Sequence, residues 1–386
     1  MLPTIRLYDE DSHLYSFSAE IISCEKAENA YMVILDRTAF FPEGGGQPAD
    51  TGYIGNARVS DVQIKDGIIT HYTDIPLVAG EKAECTLDSE KRFRRMQNHS
   101  GEHIVSGLIH KIFGFNNVGF HMGSEDVTID IDGVLTRQDL DRIEAEANRI
   151  VYENVSVRAE YPDSDTLQGL EYRSKLELTE NVRIVTVEGC DVCACCAPHV
   201  NRTGEIGIIK LLDFISYKGG VRIHMLCGRD ALEDYHKRYM SIAEISAGLS
   251  AKQSQVTEAV ERVKNELAAE KQAAVQLKKQ IIELKIALLK PCEGNMVIFE
   301  ADMDMLNLRL LVNRAVEMCT GVCAAFSGDD EKGYNYIIAG KNIPLKERSR
   351  EINSALNGRG GGKDDMIQGS VKASEQDIRR YFQDFS

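Results

Sequence analysis

The chain holds 386 residues, 43% hydrophobic and 27% charged, an ordinary globular composition with length for two or three domains that each bury a core. Its net charge of -15, from 60 acidic against 45 basic side chains, argues against a broad nucleic-acid surface and leaves room only for local basic patches. No run of 18 apolar residues and no positively flanked apolar N-terminal stretch occurs, so neither a membrane span nor a secretion signal is expected, and the ten cysteines read as reduced or metal-bound thiols in a cytosolic protein.

Residues 1–88 read as short strands punctuated by Gly and Asp, such as Tyr31-Met-Val-Ile-Leu35 and Gly67-Ile-Ile-Thr-His-Tyr72, and predict a small β-barrel-like unit. Residues 89–240 mix both periods. Ile104, Leu108 and Ile112 recur at four-residue steps over 97–113, residues 127–132 alternate as a strand, and 139–152 form an amphipathic helix. Strands are expected at 182–187, 206–212 and 221–226, giving an α+β domain. Over 241–290, Val256, Val260, Val263 and Leu267, then Ala274, Leu277, Ile281, Leu284 and Leu288, form a coiled-coil-type seam on one long helix that no Pro or Gly interrupts from Leu249 to Leu289. Pro291 ends it. The helix is either an internal arm or a dimer seam; a homodimer through it or through the following domain is the expectation. Residues 291–386 read as a C-terminal α/β domain with strands at 295–299 and 334–339, a glycine-rich loop, Asn357-Gly-Arg-Gly-Gly-Gly-Lys363, and a closing helix at 375–382. The fold class is therefore α+β. Two basic patches stand out, Lys91-Arg92 with Arg94-Arg95, and Lys346, Arg348 and Arg350 leading to Arg359 and Lys363; each is a solvated face or a phosphate contact.

His99-Ser-Gly-Glu-His103 sets two imidazoles one helical turn apart on the same face, where they can share a metal. The spacing alone is common. A second pair at the same separation, Cys195 and His199 in Cys195-Cys-Ala-Pro-His199, supplies the thiolate and imidazole that zinc prefers. Three nitrogens and one sulfur suit one tetrahedral Zn2+ per chain. Cys196 reads as a small buried residue, and Cys190 and Cys193 stay unassigned. Thr38-Ala-Phe-Phe-Pro-Glu-Gly-Gly-Gly-Gln-Pro-Ala-Asp-Thr-Gly52 carries three consecutive glycines that permit positive φ and close approach of a ligand, or a plain loop between strands.

These three segments, with Phe120-His-Met-Gly123 and Lys218-Gly-Gly-Val-Arg-Ile223, resemble the editing domain of alanyl-tRNA synthetases and the free-standing AlaX proteins. The run Gly358-Arg-Gly-Gly-Gly362 resembles the C-terminal domain that these synthetases share with DHH phosphoesterases, although no Asp-His-His triplet occurs in the chain. Editing-type motifs begin by Thr38, so the chain resembles the long AlaX form, without an aminoacylation domain. One departure is Cys196-Ala-Pro198, where the synthetases have Gly-Gly-Thr; it spares both ligand positions and bears on how the terminal adenosine of tRNA is seated.

The resemblance implies a trans-editing hydrolase that deacylates alanine tRNA mischarged with serine, with glycine as the second candidate. A site built to activate alanine cannot strongly reject one added hydroxyl, so a second, hydrolytic site is the remedy. His99, His103, Cys195 and His199 would hold the zinc, which either activates water or grips the amino group of the substrate. Thr38 matches the family position that faces the amino acid and is expected to read the serine hydroxyl, with Glu43, Gln47 and Glu102 as polar helpers. Arg222, Arg359 and Lys363 are expected to contact RNA. Two rivals differ in class: a non-enzymatic tRNA-binding module with a structural zinc, and a zinc peptidase of the HxxEH type with Glu102 as base. The peptidase leaves Cys195 and His199 without a purpose.

Overall fold

In a computed structural model of the chain, which describes residues 2–123, 126–174 and 182–385, strand alternation first builds a closed barrel. Two short strands, β1 (Ile5–Arg6) and β4 (Arg37–Thr38), pair in parallel at its side, with the one-turn helix α1 (Leu7–Glu10) between them in sequence. The barrel strands are β2 (Ser16–Lys26), β3 (Tyr31–Leu35), β5 (Gly52–Ile54), β6 (Ala57–Lys65), β7 (Ile68–Thr73) and β8 (Lys82–Leu87), closed in the order β2-β3-β7-β6-β5-β8. Every second side chain of β2, Phe17, Ala19 and Ile21, turns into a core shared with Val33, Leu35, Phe40, Val59, Val62 and Ile69.

Helix α2 (Ser89–Phe113) leaves the barrel directly. Asp88 caps it by accepting from the Lys91 amide at 3.1 Å, and Gly114 at φ +72° ends it. Its residues from Met96 to Ile109 are buried against strands and a helix that follow it in the chain. Strands β9 (Asn117–Met122) and β10 (Val127–Ile131) follow, then α3 (Arg137–Glu153), started by a Thr136–Asp139 capping box. Next come β11 (Val157–Glu160), the short α4 (Ser164–Gly169), β12 (Ile184–Val187), β13 (Asp191–Ala194), β14 (Ile209–Tyr217) and β15 (Gly220–Cys227). They form a four-stranded sheet, β14-β15-β10-β9, and a three-stranded antiparallel sheet, β11-β12-β13, over an apolar core of α2 and α3 side chains. Helix α5 (Gly228–Gly248) begins under Gln97. Barrel and sheets belong to one compact unit, Met1–Glu244.

The second unit is Ile245–Ser386. The sequence predicts an unbroken helix from Leu249, but Ser250 takes φ +49° and the helix α6 starts at Val256 and runs to Leu288. Most of its seam, including Val260, Leu267, Leu277, Ile281, Leu284 and Leu288, is exposed, while Ala259 and Ile282 are buried. Strands β16 (Met296–Glu300) and β17 (Val322–Asp329) are parallel and joined through α7 (Met305–Ala315). β18 (Gly333–Gly340), β19 (Gly358–Gly362) and β20 (Met366–Val371) complete a sheet of order β16-β17-β18-β20-β19, with α8 (Leu345–Ala355) and α9 (Glu375–Gln383) contributing Leu345, Ile352, Ile378 and Phe382 to the core. The glycine run expected as a loop is therefore a strand. Glycine is needed there because a Cβ on Gly360 would lie 2.5 Å from the Tyr336 hydroxyl and 2.4 Å from the Gln368 carbonyl. Among the described residues no helix is long and apolar enough to cross a membrane.

Candidate metal centre

Helix α2 presents His99, Glu102, His103 and Ser106 along one face, and the turn after β13 carries Cys195 and His199 to that face. One donor atom from each of His99, His103, Cys195 and His199 lies within 4.8 Å of the other three. The Cys195 Sγ is 3.3 Å from His199 Nε2 and 3.6 Å from His99 Nε2. The outer ring nitrogens are all held. His99 Nδ1 meets Gln47 Oε1 at 2.9 Å, His103 Nδ1 meets Asp191 Oδ2 at 3.0 Å, and His199 Nδ1 meets Ser100 Oγ at 3.0 Å. The oxygens of Gln47 and Asp191 at the Nδ1 atoms of His99 and His103 set those two rings to present Nε2 to the cluster, as metal-ligating histidines require, and the Ser100 hydroxyl holds His199 from the same side. The donor set fits zinc.

The electrostatics agree with that fit. Burial opposes a thiolate at Cys195, but the rings of His99, His199 and His103 outweigh it and hold the thiol well below its usual range. Burial pushes His199 down to about 3, leaving it a neutral donor. Asp191 is held at about 2 against its burial, through His103 and through the two-pronged Arg173 pair at 2.7 and 2.8 Å. Cys193 joins His103 and Asp191 in a second close group, but the Asp191 carboxylate is already engaged by His103 and Arg173 and acts as support.

The glycine segment serves the same site. Gly45 and Gly46 take φ +60° and +84°, and a Cβ on Gly46 would stand 2.4 Å from the Phe120 carbonyl oxygen. This close approach brings Phe120 against His99 in a tilted pair, centroids 4.7 Å apart, and Gln47 meets the edge of the same ring. The segment is pinned from α2 by Arg92, fully buried, which donates to Asp50 and to the Ala39 carbonyl, and by Arg95, which donates to the Ala49 carbonyl at 2.7 Å. The expected basic patch at Lys91–Arg95 is thus no open face. Arg92 and Arg95 pair with Asp50, and Arg94 pairs with Asp230 and Glu233.

The remaining expected site residues fall in different places. Glu102 is 4% exposed and lines the cavity at the cluster. Its Oε1 accepts from Ser106 and Asn117, and its Oε2 is 4.0 Å from His103 Nε2. Gln47 is 1% exposed, and its Nε2 finds no acceptor among the described residues. Thr38, the expected reader of a substrate hydroxyl, lies on the short strand β4. It is fully buried and does not line the cavity. Its Oγ1 donates to His71 Nε2 at 2.9 Å while accepting from the Phe40 amide, because His71 Nδ1 is occupied by the Val33 carbonyl. Glu43 is exposed, accepts from Gln63 and does not line the cavity. Cys196, expected buried, is exposed at the cavity wall. Arg222 pairs with Asp130 at 2.6 Å and covers the Tyr217 ring. Arg359 and Lys363 are exposed on and just after β19. Ser100, Asp191 and Arg173 were missed. Their partners are distant in sequence, and only Asp191, inside the cysteine cluster, carried any hint. The cluster sits at one wall of a cavity of about 1490 Å³, larger than the ~300–1,000 Å³ of ordinary small-molecule pockets.

Family models match two stretches: class II (A) tRNA synthetases over residues 12–91, and the second additional domain of threonyl and alanyl tRNA synthetases over residues 182–227, which holds Cys195 and His199. The alanyl-tRNA editing protein AlaX-L of Pyrococcus horikoshii is 29% identical over 97% of this chain and 96% of its own length. The chain is similar to the group formed by AlaX proteins and alanyl-tRNA synthetases. Within it, the alanine–tRNA ligases of Ignicoccus hospitalis (29% identical over 94% of this chain) and Archaeoglobus fulgidus (30% over 96%) also align. The chain spans 40% and 42% of those two ligases. A crystal structure of the C-Ala domain from Aquifex aeolicus alanyl-tRNA synthetase matches 24% of the chain and 87% of that chain at 22% identity, with a TM-score of 0.20, too low to bear on the fold.

Proposed function

We propose that this AlaX-like chain edits alanyl-tRNA synthesis, hydrolysing the ester that joins a wrong amino acid, serine first and glycine second, to alanine tRNA. The observation that carries the reading is the convergence of His99, His103, Cys195 and His199 at the wall of an open cavity, in a chain that aligns end to end with an editing protein. The four side chains would hold one Zn2+, which when bound supplies Lewis-acid polarisation or a grip on the amino group of the substrate. Glu102, buried against His103, takes the proton of the attacking water and returns it to the ribose oxygen as the ester C–O bond breaks. Gln47 anchors His99 through its carbonyl and so holds that ring in place. Arg222, Arg359 and Lys363 are proposed RNA contacts, and the exposed seam of α6 a homodimer contact.

One observation favours a second reading. Four protein donors complete a tetrahedral shell, as in structural zinc sites, which suits a tRNA-binding module without turnover. Deacylation of serine- and alanine-charged alanine tRNA by the zinc-loaded protein and by Glu102→Gln separates the two. Serine loss with alanine spared, slowed about 100-fold or more in the variant at unchanged zinc content, is the expected result. No release of serine by the wild type would leave the binding module.

A further inference from the structure

Three cysteines of the second unit take no part in the metal centre. Cys292 follows Pro291 beyond the end of α6, Cys319 closes the turn after α7, and Cys323 is the second residue of β17. Cys292 and Cys319 are direct partners in an isolated parallel bridge, held by the Cys292 amide, which donates to the Met318 carbonyl at 3.0 Å. Their offset of 27 residues is also the offset of Met296 and Cys323 in the β16–β17 ladder, so the bridge is an outlying rung of the same register. Between the two rungs, the Gly321 amide donates to the Gly294 carbonyl and the Val322 amide to Asn295 Oδ1, each at 2.8 Å.

Directly opposed residues on neighbouring strands share a face and stand about 4.7–4.9 Å apart. That lies inside the Cα separation of about 4.4–6.8 Å that a disulfide spans. Cys323 faces Met296 instead. The two sulfurs make only long carbonyl contacts: Cys292 Sγ to Asn295 at 4.0 Å, and Cys319 Sγ to Val316 and Gly321 at 3.7 and 3.8 Å. Both thiols are free, and among the described residues neither belongs to a group placed to hold a metal. Burial pushes the Cys319 thiol up and the neighbouring Cys292 adds to this, while the Met296 amide and Lys341 pull it back. Cys292 is half-buried, whereas Cys319 is 7% exposed and Cys323 is fully buried. An oxidant therefore meets Cys292 first, and Cys319 waits beside it.

We propose that Cys292 and Cys319 form a reversible dithiol–disulfide site, oxidised by a peroxide and reset by a small thiol. The Cys292 thiolate attacks one oxygen of hydrogen peroxide, the O–O bond breaks, and hydroxide leaves with the thiol proton as water, giving a sulfenic acid. The Cys319 sulfur then attacks the Cys292 sulfur. The S–S bond forms, the S–O bond breaks, and the second hydroxide takes the Cys319 proton as water. Two small thiols reverse the oxidation by exchange and leave as their own disulfide. The bond closes a ring that contains β16 and α7 and fastens the chain beyond α6 to the start of β17, which restricts the unfolded chain. All of these residues lie in Ile245–Ser386, apart from the unit that carries the metal centre, so the inference does not rest on the editing reading.

The test treats the full zinc-loaded chain with equimolar hydrogen peroxide, blocks the remaining thiols by alkylation, and maps the peptides under non-reducing conditions. One linked pair joining Cys292 to Cys319 is expected. It should vanish on reduction with dithiothreitol, persist in Cys323→Ser and be absent from Cys292→Ser. In Cys319→Ser, Cys292 should instead stay as the sulfenic acid, captured by a dimedone label that the wild type loses. Oxidation should also widen the gap in unfolding midpoint between wild type and Cys292→Ser by about 5–10 °C, the share of one ring closure. Equal labelling of Cys292 in wild type and Cys319→Ser, a link from Cys292 to Cys323 or to a second chain, or an unchanged midpoint gap would overturn the inference and leave the three thiols as packing.

Discussion

Asp191 offers the sharpest test of the metal centre, because it touches no proposed ligand atom directly and acts only through the outer nitrogen of His103. The carboxylate is 5% exposed, accepts from His103 Nδ1 at 3.0 Å and receives Arg173 on both oxygens. Asp191→Asn keeps the shape but removes the charge and lets an N–H face a donor. Loss of such a partner costs a zinc site about 10–100-fold in affinity, which at 1.36 kcal/mol per decade is about 1.4–2.7 kcal/mol. Arg173, 16% exposed at its side chain, also loses its acid, so the zinc-free fold should weaken as well. Competition titration against a chromophoric chelator gives the zinc Kd, and thermal unfolding of the zinc-free protein gives the structural component separately. The expected result is a weaker Kd together with a lowered midpoint. A lowered midpoint with unchanged Kd would refute the reasoning: Asp191 would then anchor Arg173 and nothing more.

Other perturbations probe the frame around the site. Asp50→Ala strands the fully buried Arg92 and should cost about 3–5 kcal/mol in urea unfolding, with a loss under 1 kcal/mol counting against a dry ion pair. His71, buried in the barrel, is pushed down to about 4 by burial, so between pH 6.5 and 4 the unfolded chain binds a proton that the folded chain does not. Stability should therefore fall on acidification through that window by about 3 kcal/mol from this group, and His71→Gln should flatten the dependence; an unchanged pH slope would mean the ring is not held neutral. Gly46→Ala meets both a left-handed backbone, about 1–2 kcal/mol, and the Phe120 carbonyl, whereas Gly55→Ala at φ +58° has open space. The first should lose more stability and weaken zinc binding, and equal losses at both positions would show that the approach to Phe120 does not matter.

The sequence by itself determined the elements of local geometry. Two donors four residues apart on a helix share a face wherever that helix lies, so His99 and His103 were legible as a pair, whereas Cys195 and His199, in a turn, were legible only by their ligand types. Alternation made the barrel strands legible, and the heptad pattern located the apolar side chains of α6, though not the break at Ser250. What surrounds those donors was decided only in three dimensions. The partners of the three outer nitrogens lie 52, 88 and 99 residues away, and no spacing rule reaches that far. Arg92 reads as surface charge until Asp50 meets it inside the protein, and the glycines of β19 read as a loop until Tyr336 packs beneath them. That the Thr38 hydroxyl meets His71, 33 residues away, was likewise visible only in the fold. Periodicity fixes which face a side chain occupies, but whether a polar group stands in water, in an ion pair or against a metal depends on the element packed opposite it, and that is a property of the folded chain.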